Sequence, residues 1–194
     1  MGKCKVLILL SLLGLFFGCT RGEKTPLDEA LAFRTALQNA GGCAFLAEVT
    51  ADYGDEVYTF CLSCDTDPTG TLDFTVTAPE SIAGITGTVA GETGNLTFQD
   101  TVLSFSALAD GQLSPLSAAY TAAQSWRSGY ITTCGVEDGQ LVMQVDATYD
   151  DNPISTETWL DREKGIPIFA EICYNGWRML SVTISDFQYT SGND

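Results

Sequence analysis

The chain has no histidine and few cations: nine Lys and Arg stand against 25 Asp and Glu in 194 residues, a formal net charge of −16. Without histidine there is no Ser-His-Asp or Cys-His catalysis, no imidazole proton relay and little basis for a zinc site. So acidic a surface repels phosphate backbones and anionic headgroups, which argues against nucleic acid and against electrostatic membrane docking. A membrane-length apolar run is also missing. Val6–Phe17 gives 12 apolar-rich positions, short of the ~20 that span a bilayer.

What is present starts with an address. Lys3 and Lys5 precede that run and Gly18-Cys19 ends it, so residues 1–18 read as a signal peptide. A small residue before Cys at such a boundary is similar to a bacterial lipobox, in which the thiol receives a diacylglycerol; Cys19 is the expected lipidation site. Plain secretion is the alternative. Residues 19–24 then form a lipidated Cys and polar tether, and 25–190 a single domain on the outer face of the bacterial cytoplasmic membrane, expected to be a monomer.

Thr25-Pro26-Leu27-Asp28-Glu29 starts a helix, with Thr at the N-cap, Pro next and acids in the first turn; Gly41-Gly42 ends it. Arg34 lies on it as an exposed charge. Period-two alternation follows in Cys43–Val49, Val57–Cys64, Leu72–Thr77, Thr86–Ala90, Asn95–Phe98 and Thr101–Ala107. Ser114-Pro115 opens a second helix that presents Leu116, Ala119, Tyr120, Ala123 and Trp126 on one face and stops at Gly129. Five more strand-like runs, Tyr130–Val136, Gln140–Tyr149, Thr156–Asp161, Ile166–Tyr174 and Trp177–Phe187, are divided by turns that include Asp138-Gly139 and Asn175-Gly176. Strands that follow strands imply antiparallel pairing. The expected class is mainly β (α+β): one strongly curved antiparallel sheet, a half-barrel, with helices over its concave face.

Two helices are few for about ten strands, so an apolar hollow is expected beneath them. Tyr58, Phe60, Leu62, Phe74, Val76, Val89, Leu96, Phe98, Leu141, Met143 and Val145 would line it from strands, and Leu116, Tyr120, Ala123 and Trp126 from the second helix. Tight packing of the same residues as ordinary core is the other reading, and for any one residue the preferred one.

Three stretches resemble a known family. They are Pro79-Glu80-Ser81-Ile82-Ala83-Gly84-Ile85 with Leu96–Asp100, Leu113-Ser114-Pro115 through Gly129-Tyr130-Ile131, and Thr158–Asp161 with Gly165-Ile166-Pro167-Ile168 and Ala170-Glu171-Ile172. Together they are similar to the LolA-like fold, a group that includes the lipoprotein-localisation factor, the LppX and LprG lipoproteins and the lipoprotein-sensing RseB domain. The resemblance implies a half-barrel closed by helices that binds a lipid or lipoprotein acyl chain without chemistry. It also makes Arg34 similar to the arginine with which the localisation factor latches its lid, although the exposed-charge reading is preferred.

Five cysteines lie beyond Cys19. A redox or zinc use of Cys61-x-x-Cys64 is disfavoured, because the pair sits in a strand rather than at a helix start and lacks further ligands. If Tyr53-Gly54 is a two-residue hairpin loop, Cys43 falls opposite Cys64 and a Cys43–Cys64 disulfide is expected. A longer loop would bring in Cys61. Cys134 and Cys173 are expected as buried thiols.

Asp65–Gly70 has the look of a calcium loop without its closing Glu, and reads as a turn; Asp150-Asp151-Asn152 reads as loop punctuation. Glu157, Asp161 and Glu171 fall on adjacent late strands, where two of them could form a carboxylate pair for hydrolysis. The chain is expected to be no enzyme, with no catalytic residue, cofactor or metal. A surface interaction or sensor module with a filled core is the alternative function.

Overall fold

A computed structural model describes residues 24–191, except 92, 99–100, 107, 110–111 and 148–152. The expected signal segment, Cys19 and most of the Asp150–Pro153 turn lie outside the described residues. Helix α1 (Pro26–Ala40) begins as the sequence predicts. Thr25 and Asp28 form a capping box, and Gly41 ends the helix in the left-handed conformation at φ 92°. Its buried face is Ala30, Phe33 and Leu37, while Leu27 and Leu31 face solvent.

Strands β1 (Gly41–Asp52), β2 (Val57–Thr66), β3 (Leu72–Ala78), β4 (Thr86–Ala90), β5 (Thr93–Phe98) and β6 (Thr101–Ser106) run as a meander. A short hairpin follows that the alternation does not signal, β7 (Leu108–Ala109) with β8 (Gln112–Leu113). The second helix starts later than the sequence suggests: Ser114 makes no side-chain cap, Pro115–Ser117 is a 3₁₀ turn, and α2 is Ala118–Arg127. Strands β9 (Tyr130–Glu137), β10 (Gln140–Asp146), β11 (Ile154–Asp161), β12 (Ile166–Tyr174) and β13 (Trp177–Ser191) complete the chain. Positive φ at Asp138-Gly139 and Asn175-Gly176 makes both turns the hairpin type that Asp-Gly and Asn-Gly favour.

Eleven strands form one curled, unclosed antiparallel sheet in the order β6-β5-β4-β3-β2-β1-β13-β12-β11-β10-β9. Helix α1 packs over β1, β9, β10 and β13, and α2 over β1 and β11–β13. Their shared core is centred on Phe33, Phe45, Trp126 and Phe187, whose ring centroids lie 5.4–6.4 Å apart.

The expected Cys43–Cys64 disulfide is overturned. The β1–β2 loop has four residues, closed by the Tyr53 N–H to Glu56 O and by Asp52 accepting from Gly54 N–H. Cys43 therefore faces Thr66, and Cys64 faces Phe45. Thr66 Oγ1 lies 3.4 Å from Cys43 Sγ and accepts from the Cys43 N–H, and all five cysteines are free thiols. A two-residue slip leaves every side chain on its original face, so periodicity could not detect it. Cys61 is no competitor either: three residues from Cys64, it points to the opposite face and lies across from Glu48. Cys134 and Cys173 are half-buried rather than buried.

Candidate functional site

The side chains expected to line a hollow occupy the inner face of the sheet and α2. Phe60, Leu62, Phe74, Val76, Val89, Ala123, Trp126, Leu141, Met143 and Val145 are buried in one core. Leu96, Leu116 and Tyr120 are half-buried against it. Tyr58 and Phe98, at strand ends, are 49% and 44% exposed. Beneath α2, Trp126 is wholly buried, and its Nε1–H donates to Thr158 Oγ1 at 3.2 Å.

Arg34 is not the exposed charge that its position on the helix suggested. Its guanidinium donates to four carbonyls at the end of α2: Ser125 at 3.0 Å, Trp126 at 3.1 Å, Ser128 at 3.2 Å and Gly129 at 3.0 Å. Gln38 adds a fifth, to Arg127 O at 2.8 Å. A helix leaves its last carbonyls without internal partners, and its C-terminus attracts cations; side chains of α1 supply both needs. In return Arg127 donates to Gly41 O, the C-cap of α1, and to Pro68 O. Each helix end is thus held by an arginine of the other, and burial lowers the Arg34 pKa.

A cavity of about 550 Å³ lies between α1 and the β11–β12 turn. Phe33, Ala32 and Ala36 of α1 form one wall, with Leu141, Leu160 and Tyr189 opposite. Lys24, Glu29, Asp161, Arg162, Glu163 and Lys164 form the rim. Arg162 donates twice to Glu29, at 2.6 and 2.9 Å, and holds its carboxyl below the usual range. Lys164 lies 3.6 Å from Asp161, whose carboxylate accepts the N–H groups of Glu163 and Lys164 and closes the turn. The result is an apolar trough with an ionic lip, suited to an amphiphile rather than to a proton-transfer reaction.

Of the expected lining residues, only Leu141 reaches this cavity; Leu96 and Phe98 line a second of about 320 Å³ on β4–β6. Sequence reading missed the rim. The available signal was Ala32 and Ala36, small residues one turn apart beside Phe33, opposite an Asp-Arg-Glu-Lys turn. Glu157 and Glu171 are cross-strand partners on the outer face, but Arg178 pairs with Glu171 at 2.8 Å and Asp161 is committed to its turn. Burial first, then Glu171 and Glu137, raise the Glu157 pKa. Asp67 accepts from Thr69 and Thr71 of its own turn.

No family model matches the sequence, and no curated protein matches it. Solved structures do. A putative outer membrane lipoprotein-sorting protein domain from Vibrio parahaemolyticus is 12% identical at a TM-score of 0.48, over 87% of this chain and 93% of that one. A LolA superfamily protein from Nitrosomonas europaea is 10% identical at 0.46, over 84% and 94%. The Mycobacterium tuberculosis lipoprotein LppX is 13% identical at 0.40, over 87% and 96%. These are likenesses only, and identities this low transfer no residue role.

Proposed function

We propose that the protein is an exported, non-enzymatic lipoprotein, anchored through Cys19, that binds the apolar chain of a lipid or of a lipoprotein tail. The observation that carries this reading is the trough between α1 and the β11–β12 turn. Its volume falls in the range of small-ligand pockets, and its walls divide as an amphiphile does. An acyl chain would lie against Phe33, Leu141 and Leu160, with its polar head among Lys24, Arg162 and Lys164. Release of the Arg34 contacts would let α2 lift and extend the trough over the inner face of the sheet. The second reading, a filled-core interaction module, draws on the wholly buried Trp126 beneath α2.

Organic extraction of the purified chain, without hydrolysis, separates held lipid from the covalent anchor. Mass spectrometry should find non-covalent acyl species in the wild type and far less in Ala36→Phe, which fills the trough from its exposed side. Equal amounts in both, or none in either, would favour the filled-core module. Cys19→Ala should abolish the diacylglycerol mass on the N-terminal peptide and release the protein from membranes.

A further inference from the structure

The sheet ends beyond the reach of both helices in a free edge, and we propose that two copies of the chain join there, β6 against β6, into one continuous antiparallel sheet. β6 is outermost in the strand order and, among the described residues, pairs only with β5, residue for residue from Thr93↔Ser106 to Phe98↔Thr101 without a bulge. Alternate residues of such an edge aim their N–H and C=O groups outward, a ready template for another strand. Proteins that must stay single blunt such edges with Lys, Pro, a bulge or a covering segment. No Lys, Pro or bulge is present among the strand residues of β5 and β6, and no strand residue of β4, β5 or β6 is charged. The other edge differs: β9 carries Glu137, its pairing with β10 is broken by a register shift, and α1 packs against it.

The apolar side chains at the β6 edge are open to water. Val102 and Leu103, on opposite faces, are 63% and 60% exposed, and Leu103 joins Ile85, Leu96, Phe98 and Thr101 around the 320 Å³ groove. Charge selects the occupant. Two bodies of formal charge −16 repel each other, so close approach between copies is least costly along uncharged strands, as β4–β6 are. A basic partner would gain more from the acidic surface elsewhere. An antiparallel edge is also its own complement under two-fold rotation, so the pairing closes and leaves neither β6 edge exposed.

The test is photo-crosslinking of the full chain with benzoylphenylalanine in place of Leu103, together with density-matched sedimentation of the unmodified full chain in detergent micelles. A cross-linked product of twice the mass of the single purified chain, containing only peptides of this chain, is the expected result. Val102→Lys, at an exposed position, should remove it while leaving the circular dichroism melt unchanged. Because the contact is neutral and the bodies are alike in charge, association should tighten about threefold or more as NaCl rises from about 0.05 to about 0.5 M. A cross-link to a different protein, no cross-link, or association that weakens with salt would each overturn the proposal.

Discussion

Strands β10–β13 and β1 carry the same alternation of apolar and polar residues as β5 and β6, yet their inner faces end differently. Val49, Val182, Ile172 and Met143 are inaccessible beneath the helices, whereas Phe98 and Leu103 are 44% and 60% exposed. Size explains it. Helices of 15 and 10 residues are ~22 and ~15 Å long, while eleven strands side by side span ~48 Å. Alternation decides which face of a strand is apolar, and the supply of covering segments decides whether that face is dry. Towards the margin of this cover, β4 and β5 use glycines. A Cβ at Gly87 would come within 2.4 Å of the Phe74 ring, and one at Gly94 within 2.2 Å of the Phe105 ring. The rings of neighbouring strands fold over these gaps and shield the backbone.

The covered half should be far more sensitive to truncation than the wing. Trp126→Ala removes a wholly buried ring that touches Phe33, Phe45 and Phe187, and should cost about 3–5 kcal/mol in urea unfolding. Leu103→Ala should stay within about 0.5 kcal/mol of wild type. Similar costs at the two sites would erase the distinction. Next in size is Arg34→Met. Charge-assisted hydrogen bonds contribute about 1.5–3 kcal/mol each, but the freed carbonyls can rehydrate, so the net loss should be about 2 kcal/mol. Hydrogen exchange should speed up at the end of α2 and not in β5. Arg34→Lys should not restore protection, because one ammonium cannot serve four carbonyls.

How far these regions were legible from sequence follows from the range of the forces involved. The Thr25-Pro26 start, the Gly41 stop and the Asp-Gly and Asn-Gly turns are local, and each stands where the residues put it. The β1–β2 register was not legible: slips by two preserve the faces, and the choice lay with the Asp52 and Glu56 contacts in the loop. Arg34 defeated the sequence reading because its partners are carbonyls some 91–95 residues away, and a carbonyl has no sequence signature. The trough was missed for a related reason. Its apolar wall belongs to the ordinary helix and strand pattern, and only assembly sets the Asp161–Gly165 turn against Ala32 and Ala36.

Within the wing, the two glycines should rank by how freely the ring can move. Gly87→Ala drives a Cβ into Phe74, which is 3% exposed, and to 2.9 Å from Asn95 O. Neither neighbour has room, so about 1–3 kcal/mol should be lost. At Gly94 the close atoms all belong to Phe105, half-buried near the edge and able to swing outward, so Gly94→Ala should cost less than about 1 kcal/mol. A reversed order in thermal melts would mean that β5 and β6 are held as firmly as β3.

The smallest effect expected is electrostatic, and it should touch only one region. Asp28 and Glu29 of α1 and Asp161 of the β11–β12 turn all have lowered pKa values, because the Thr25 hydroxyl, the Arg162 guanidinium and the Lys164 N–H respectively bond the charged form. A carboxyl with a depressed folded value contributes stability that is fully present above its ordinary range, about pH 4, and is lost as pH falls through the folded value. Glu157 has the opposite sign. Burial raises its pKa, so its contribution exists at low pH and disappears as pH rises; Glu157→Gln should therefore stabilise slightly at neutrality and not at pH 3. The strand residues of β4–β6 hold no ionisable group. Hydrogen exchange, normalised to the intrinsic rate at each pH, should show α1 and the β11–β12 turn loosening below about pH 4 while β5 and β6 keep their protection. An equal loss in both regions would mean that the carboxylates support the whole sheet and not merely its covered end.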